Sequence, residues 1–268
     1  MEPAGKTIVI TGGASGIGAA LARRFAAEGP ANLVLADRDI DGARAVAEEV
    51  AGGVSGQCVP RQLDVGREGA NEALVGDVEA NVGPIDLFVA NAGIATGASE
   101  QGDDVTWDVI WDINTMAHVR AARALVPLWL GRGGGYLLTT ASAAGLLTNL
   151  GDAPYSVTKA AAVAFAEWIS VTYGDRGIGV SCLCPQGVRT PLLFPPDEDG
   201  SEAVLAADVV RSMNIIEPEQ VADSVMAGLA DERFLILPHE EVARYAANKG
   251  TDRERWLAGM RKLQATLT

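Results

Sequence analysis

The sequence predicts an α/β protein, a single domain built on a doubly wound parallel sheet of about seven strands with helices on both faces. Short apolar runs alternate with helical stretches along the chain, and a Gly-rich turn separates the first run from the first helix. No repeat, low-complexity tract or linker divides the 268 residues. Such alternation is typical of parallel sheets, whose crossover connections are usually helical.

The composition of the chain argues against several classes of binding partner. The net charge of −14 and the pI of about 4.5 argue against nucleic acid and anionic membranes as partners. No apolar run approaches the ~18–20 residues that span a bilayer. The opening MEPAGKTIVIT lacks a signal-peptide pattern, so we expect a cytoplasmic protein. Three cysteines without a C-x-x-C pair, and only two histidines, predict no metal site.

The first strand, KTIVIT over residues 6–11, is followed at once by GGASGIG and a helix that ends near Gly29. Gly12 permits a tight turn, while Gly16 and Gly18 allow backbone to approach a ligand or the neighbouring strand closely. The start of the following helix offers unpaired N–H groups and a positive dipole end. This strand–turn–helix arrangement predicts a diphosphate site.

The second strand, residues 32–36, ends in Asp37, roughly 20 residues past the turn, where an adenosine ribose is expected. A carboxylate there accepts hydrogen bonds from ribose hydroxyls and repels a 2′-phosphate by about 4 kcal/mol at ~4 Å. NAD is therefore expected rather than NADP. Arg38 leaves NADP open, because a guanidinium binds phosphate well.

Two more strands are expected to end at the same edge of the sheet. Asp64 and Val65 follow the third strand, and Asn91 follows the fourth, at residues 85–90. Ligands of open parallel sheets bind along this edge. The helices expected around these strands cover residues 40–51, 68–82 and 104–130, the last of which contains Asn114.

The stretch Tyr136–Lys159 holds the residues with the clearest chemistry. Tyr155 and Lys159 are four residues apart in an Ala-rich helical segment, so they share one helix face. A nearby ammonium favours the phenolate, which is expected to lower the tyrosine pKa and make the phenol a usable proton carrier. Tyr155 can then exchange a proton with an alcohol or carbonyl oxygen of a substrate. Ser142, just past the fifth strand, can hydrogen-bond that same oxygen. Alternatively, the pair consists of ordinary surface residues of an amphipathic helix.

After a sixth strand at residues 179–184, the Pro-rich segment 186–215 is a candidate substrate loop or lid. Its apolar inner face is expected to comprise Leu192, Leu193 and Phe194, with Leu147 and its neighbours Leu146 and Leu150 facing it. A helix from about residue 217 and a seventh strand in ERFLILP follow. The tail 239–268 is predicted to be a helical extension whose possible apolar stripe is Trp256, Leu257, Met260 and Leu263.

Taken together, these motifs resemble the compact, single-domain branch of the short-chain dehydrogenase/reductase family, which has a Rossmann-type fold. The resemblance covers the chain to about residue 190, and the matching motifs are TGGASGIG, the Asp37 strand end, Asp64-Val65, NAG at 91–93, Asn114, Ser142 and YSVTK at 155–159.

The resemblance implies catalytic roles. Tyr155 matches the acid/base, Lys159 the residue that holds the nicotinamide ribose and lowers the tyrosine pKa, Ser142 the substrate-orienting hydroxyl, and Asn114 the holder of a relay water at a helix irregularity. The cofactor-binding residues it implies are Gly12, Ser15, Gly16, Ile17, Gly18, Asp37, Arg38, Asp64, Val65, Asn91, Ala92, Gly93, Tyr155, Lys159, Pro185, Val188 and Thr190. It also implies a homotetramer, or less often a dimer, with helices four and five at the main interface.

One departure from the family pattern is visible. Where P-G-x-V-x-T is usual, the chain reads PQGVRT. This places the amide of Gln186 at a position expected to contact the substrate. The expected activity is hydride transfer between NAD(H) and a secondary alcohol or ketone, with a largely apolar substrate. The alternative is a non-catalytic NAD sensor or scaffold on the same fold. Epimerases, dehydratases and enoyl reductases of related fold are disfavoured by their different motif spacing.

Overall fold

The fold is built around a seven-stranded parallel sheet. The computed structural model describes residues 1–195, 209 and 214–266. The strands in chain order are β1 (Thr7–Thr11), β2 (Asn32–Asp37), β3 (Cys58–Gln62), β4 (Leu87–Ala90), β5 (Gly135–Thr140), β6 (Ile178–Leu183), β7 (Gly187–Val188), β8 (Ile215–Ile216) and β9 (Leu235–Ile236).

The strand order across the sheet is β3-β2-β1-β4-β5-β6-β9, and β7 pairs with β8 in a separate two-stranded sheet. The order reverses between β1 and β4, which leaves a crevice at the carboxyl ends of these two strands. This arrangement confirms the predicted single-domain, doubly wound α/β fold. The seventh strand of the sheet is shorter than the predicted run, because only Leu235 and Ile236 pair with β6.

The longer helices in chain order are α1 (Gly16–Ala26), α2 (Ile40–Val50), α3 (Ala70–Asn81), α4 (Asp104–Trp111), α5 (Ala117–Arg132), α6 (Ala143–Leu147), α7 (Ala153–Tyr173), α8 (Pro218–Ala230), α9 (Glu240–Thr251) and α10 (Arg253–Gln264). Two apolar clusters enclose the sheet. One packs α1, α2 and α8 on one face, and the other packs α3, α5 and α7 on the opposite face. Strands buried on both faces explain the continuous apolar runs in the sequence.

Several expected boundaries differ from the observed ones. The single helix expected over 104–130 is interrupted by a π-helical turn at Asp112–Met116. Strand β4 starts at Leu87 and helix α3 starts at Ala70, each two residues later than expected.

The expected substrate loop, residues 186–215, falls partly outside the described residues, and its role as a lid stays a prediction. Within the described part of the chain, no helix is both long and apolar enough to cross a membrane.

Candidate active site

A cleft of ≈ 790 Å³ opens at the carboxyl ends of the strands. It brings together most of the residues expected at the site, although they are spread along the sequence from Gly12 to Leu193. The predicted residues lining it are Gly12, Ser15, Gly16, Ile17, Asp37, Arg38, Asp64, Val65, Asn91, Ala92, Gly93, Ser142, Leu147, Tyr155, Lys159, Pro185, Gln186, Val188, Thr190, Leu192 and Leu193.

Four predicted residues lie outside this lining, among them Leu146, which packs against a small apolar cluster with Val242. Gly18 packs against the Gly-rich turn, where an added Cβ would lie 1.9 Å from the carbonyl oxygen of Gly12. Asn114 lies behind the cleft wall and bonds to Ile94, which does line it. The ring of Phe194 lies 5.1 Å from the Arg189 guanidinium instead.

The Gly-rich turn has the geometry that an anion site requires. Gly12 and Gly16 adopt positive φ angles of 70° and 52°, which L side chains rarely tolerate. The Ser15 side chain makes no capping hydrogen bond to α1, and no acidic residue occupies its first turn. The first N–H groups of the helix therefore remain available to an anionic group, and the turn fits the diphosphate of a dinucleotide.

The Asn91 amide braces this turn from the neighbouring strand. Its Nδ2 donates to the carbonyl oxygens of Thr11 and Gly12 at 3.1 and 3.3 Å, and the Thr11 hydroxyl accepts from the N–H of Asn91 at 3.0 Å. These bonds join β1 to β4 at the point where the strand order reverses. They show Asn91 shaping the turn.

Asp37 stands at the end of β2 with both carboxylate oxygens engaged. Oδ2 accepts from the N–H of Ala14 at 3.0 Å, and Oδ1 accepts from the N–H of Asp39 at 2.9 Å. The carboxylate is thereby held toward the Gly-rich turn while it still lines the cleft. Arg38 beside it is exposed.

Tyr155 and Lys159 lie one turn apart on α7, near its amino end. Lys159 is buried, and its Nζ donates to the carbonyl oxygen of Thr140 at 3.1 Å, which anchors it to β5. The same Nζ lies 5.6 Å from the centre of the Tyr155 ring. The phenol and the ammonium therefore face one space, as their spacing predicts.

The pKa values of this pair correct one expectation. Burial raises the pKa of Tyr155 to about 12, and interaction with the Ser142 hydroxyl only partly opposes this. Burial lowers the pKa of Lys159 to about 8. The pKa of Tyr155 therefore shifts in the direction opposite to the expected lowering, because burial disfavours the charged phenolate.

Ser142 is placed by a short helix and by the loop that follows β6. Its Oγ accepts from the N–H of Ala144 at 3.1 Å as the N-cap of α6, and it donates to the carbonyl oxygen of Pro185 at 3.4 Å. This geometry ties the hydroxyl to the segment that carries Gln186 and Val188. The hydroxyl borders the cleft together with Tyr155.

Asn114 lies in the π-helical turn between α4 and α5, which agrees with the irregularity expected there. Its Oδ1 accepts from the N–H of Ile94, and its Nδ2 donates to the carbonyl oxygen of Ile94, both at 2.9 Å. Nδ2 also bonds to the Thr158 hydroxyl on α7 at 3.2 Å. Asn114 thus joins the loop after β4 to the helix that carries Tyr155.

Asp152 is a site residue that the sequence reasoning missed. Its buried carboxylate caps α7 through the N–H of Tyr155 at 2.9 Å. It also accepts from the N–H groups of Thr96 and Gly97 at 2.8 and 2.7 Å and from the Thr96 hydroxyl at 3.0 Å. One carboxylate therefore fixes both the cleft loop and the start of the tyrosine helix. An Asp directly before Ala-Pro was the available signal, since both residues favour a helix start.

His239 was missed as well. The ring is buried, its Nδ1 accepts from the N–H of Gln186 at 3.1 Å, and its Nε2 lies 3.1 Å from the carbonyl oxygen of Gly187. An unprotonated Nδ1 and a protonated Nε2 satisfy both bonds. These bonds hold the segment in which the chain departs from the usual P-G pattern.

The carboxyl-terminal helices also contribute to the cleft. The lining residues that they supply are Glu241, Tyr245, Trp256, Met260 and Leu263. The apolar stripe in the sequence anticipated three of these side chains, but it did not indicate which surface they cover. Leu257 of that stripe points elsewhere and is 41% exposed. Within the described residues, no group of three or more His, Cys, Asp or Glu side chains is arranged to hold a metal ion.

Comparison with known proteins agrees with this geometry. The sequence profile of the short chain dehydrogenase family matches residues 6–199. The chain is 32% identical over 257 residues to the oxidoreductase UcpA of Salmonella typhimurium, covering 95% of this chain and 91% of that protein. It is 34% identical over 197 residues to the 2,5-dichloro-2,5-cyclohexadiene-1,4-diol dehydrogenase LinX of Sphingobium indicum, covering 72% and 78%.

Two solved structures share the fold over nearly their whole length. A short-chain dehydrogenase/reductase from Burkholderia phymatum in complex with NAD superposes with a TM-score of 0.84 at 26% identity, covering 95% of this chain and 96% of that one. A short-chain dehydrogenase from Sphingobium yanoikuyae in complex with NADPH gives 0.79 at 27% identity, covering 94% and 95%.

Proposed function

The chain belongs to the short-chain dehydrogenase family, and on that premise we propose that it transfers a hydride between NAD(H) and a secondary alcohol or the corresponding ketone. The observation that carries the proposal is the meeting of Ser142, Tyr155 and Lys159 on the wall of a single cleft. A non-catalytic sensor does not require a proton donor, an anchored ammonium and an orienting hydroxyl around the same space.

The roles of these residues follow from their positions. The nicotinamide, when bound, supplies the hydride acceptor or donor. Ser142 and Tyr155 hold the substrate oxygen by hydrogen bonds from their hydroxyl groups. With a pKa of about 12, the Tyr155 hydroxyl is protonated at neutral pH and ready to donate to a carbonyl oxygen. In the oxidising direction Tyr155 takes the alcohol proton, and the Lys159 ammonium stabilises the phenolate that precedes this step.

Lys159 and Asn114 connect this proton to solvent in our proposal. Lys159 holds the ribose hydroxyls, and Asn114 holds a relay water beside the loop at Ile94. With a pKa of about 8, Lys159 remains mostly charged at neutral pH. The bond to Thr140 keeps its Nζ on the cleft side of α7.

The residues placed around the dinucleotide divide between its two ends. Ser15, Gly16 and Ile17 face the diphosphate at the start of α1. Pro185, Val188 and Thr190 face the carboxamide of the nicotinamide. The remaining positions on the adenosine side and along the strand edge are Asp37, Arg38, Asp64, Val65, Ala92 and Gly93.

NAD is the proposed cofactor because of Asp37. Its carboxylate lines the cleft beside the Gly-rich turn and is held there by the N–H of Ala14. A 2′-phosphate at ~4 Å from it meets a repulsion of about 4 kcal/mol at an effective dielectric of ~20. Relatives of known structure include one with NAD and one with NADPH, so they do not distinguish the two cofactors. The proposal of NAD rests on the negative charge of Asp37.

An apolar secondary alcohol is the proposed substrate. Leu147, Leu150, Leu192 and Leu193 line the same cleft as Ser142 and Tyr155, and Gln186 lines it too. LinX, a relative named for oxidising a cyclic dienediol, fits a substrate with an apolar ring. The oxidising direction is proposed on the same grounds.

We further propose a homo-oligomer, a tetramer or a dimer, in the cytoplasm. Large apolar side chains are exposed on the outer surfaces of α5 and α7, among them Leu128, Trp168 and Val171, the last 87% exposed. Such a surface favours a protein partner, and a second copy presents the same apolar face. Analytical ultracentrifugation of the full chain tests the state directly.

The function is tested by incubating the protein with NAD or NADP and a panel of cyclic and linear secondary alcohols, following the absorbance of the reduced nicotinamide. The account predicts turnover with at least one apolar alcohol and a preference for NAD. Calorimetric binding of NAD without turnover of any alcohol or ketone would support the sensor alternative instead.

A further inference from the structure

The carboxyl-terminal helices are fixed to the catalytic half of the same chain. Lys249 of α9 donates through Nζ to the carbonyl oxygens of Leu146 and Leu147 at 2.7 and 3.0 Å. Val242 is fully buried in a small apolar cluster with Ala143 and Leu147. Because α6 begins directly after Ser142, α9 and α10 form a wall of the cleft that holds the catalytic hydroxyls.

Among the described residues, this wall contributes one charged side chain to the cleft. Trp256, Met260 and Leu263 line the cleft from α10, and Tyr245 lines it from α9. Glu241, in the first turn of α9, adds a carboxylate to the same surface. It is half-buried, unlike its exposed neighbour Glu240.

The carboxylate of Glu241 retains its acceptor capacity. Among the described residues, it makes no hydrogen bond or ion pair. Asp152 also lines the cleft, but its carboxylate already accepts four hydrogen bonds. The cations among the described lining residues, Arg38 and Lys159, lie at the end of β2 and on α7, and Lys159 is bonded to Thr140.

A carboxylate on the wall of an apolar cleft favours a hydrogen-bond donor on the ligand. We propose that Glu241 binds a second donor group, a hydroxyl or an ammonium, on the part of an apolar substrate remote from the reacting carbinol. The preferred substrates are then diols or amino alcohols with an apolar body, and alcohols that carry a carboxylate are rejected by charge. This inference rests on the proposed function and specifies its substrate class.

A purely structural role for Glu241 is the competing explanation. Acidic residues in the first turn of a helix stabilise it through the helix dipole, and Glu240 occupies the same turn. A structural role predicts similar behaviour for the two glutamates. A substrate-binding role predicts an effect that depends on the ligand and is confined to Glu241.

The test compares wild type, Glu241→Gln and the matched control Glu240→Gln in the full-length chain with NAD. The substrates are 2-alkanols with chains of about six to twelve carbons. Each is used unmodified and with a terminal hydroxyl, amine or carboxylate. We expect Glu241→Gln to lower kcat/KM for the amino alcohol and the diol by roughly ten- to hundredfold, mainly through KM. The unmodified alcohol serves as an internal reference and is expected to change less than about threefold, because it makes no bond to this side chain.

The two donor groups are separated by the same panel. A glutamine still accepts a hydrogen bond from a hydroxyl but lacks the charge that attracts an ammonium, so the larger loss identifies the ammonium. Whichever donor group is preferred, a higher kcat/KM of Glu241→Gln than of wild type for alcohols that carry a carboxylate supports their rejection by the charge of Glu241. Equal profiles of Glu241→Gln and Glu240→Gln across the panel would overturn this proposal while leaving the dehydrogenase assignment intact. A panel in which wild type oxidises nothing overturns both.

Discussion

The Nζ atom of Lys159 lies 5.6 Å from the centre of the Tyr155 ring, one helical turn along α7. Both residues approach the carboxyl end of β5, where Lys159 is bonded to the carbonyl oxygen of Thr140. The arrangement holds a buried cation beside a phenol. Among the described hydrogen bonds and ion pairs, neither side chain has an acidic partner. Its energetic consequence can be measured without any ligand.

Lys159 is expected to destabilise the folded chain at neutral pH. Burial lowers its pKa from 10.5 to about 8, which corresponds to about 3 kcal/mol. Lys159→Met has similar volume and loses the bond to Thr140, worth about 1 kcal/mol, so we expect a net gain of roughly 2 kcal/mol in the free energy of unfolding at pH 7. Activity is expected to be lost.

The sign of the pH dependence follows from proton counts. Between pH 8 and 10.5 the unfolded chain binds more protons at this lysine than the folded chain, so wild-type stability rises with pH there. The penalty is fully present below pH 8, and the advantage of Lys159→Met shrinks as the pH is raised. Urea unfolding of both proteins near pH 7 and 9.5 measures this. The same difference at both pH values would contradict the buried-charge explanation.

Asp152→Ala is expected to lower the free energy of unfolding by roughly 3–5 kcal/mol, because the buried N–H of Gly97, two part-buried N–H groups and a hydroxyl lose their acceptor. The rate is expected to fall as well, since the start of α7 and the Thr96 loop are released together. Asp103→Ala is the control, because Asp103 is an exposed N-cap of α4 whose side chain accepts from the N–H of Thr106. We expect that variant to lose about 1 kcal/mol and to keep its activity.

Asp37→Asn is expected to reduce the preference for NAD over NADP by roughly a hundredfold or more, because the charge that repels a 2′-phosphate is removed. The amide oxygen can still accept from the N–H of Ala14, while the bond from the N–H of Asp39 is lost. Asp39→Asn, two residues further on at the exposed N-cap of α2, should leave the ratio unchanged. Dissociation constants of both dinucleotides, measured by calorimetry, provide the comparison. Equal changes in the ratio of NAD to NADP affinity in the two variants would indicate that the overall negative charge of the protein, rather than a contact with Asp37, sets the preference.

His239→Ala is expected to weaken dinucleotide binding by roughly tenfold, because the segment of Gln186 and Gly187 loses both of its bonds to the imidazole. His239→Gln retains one acceptor and one donor and should recover part of the affinity. Thermal unfolding recorded alongside separates loss of stability from loss of binding. Unchanged dissociation constants in both variants would show that the contact is structural only.

The structure of the first two-thirds of the chain could be predicted because it depends on residues that are close together in the sequence. The four-residue spacing of Tyr155 and Lys159 determines their common face, and the placement of Gly12 and Asp37 follows from the strand–turn–helix pattern. The parallel order of the sheet follows from the same alternation of strands and helices.

The parts that escaped prediction depend on contacts between residues distant in sequence. Lys249 bonds to Leu146 across 103 positions, and no spacing rule indicates that α9 packs on α6. The pKa of Tyr155 was expected to fall because the sequence shows the neighbouring cation and not the loss of solvent. A single sequence shows neither the long-range contact nor the burial.

The central claim is that the Tyr155 hydroxyl carries the proton in the reaction. The most direct measurement is the kcat of Tyr155→Phe against wild type, with NAD and the best alcohol from the panel, and with Tyr173→Phe on the same helix as control. Phenylalanine preserves the ring and removes only the hydroxyl. We expect a loss of roughly 10²–10⁴-fold in kcat with little change in NAD affinity, and an unchanged control. A Tyr155→Phe variant that turns over at the wild-type rate would contradict the account.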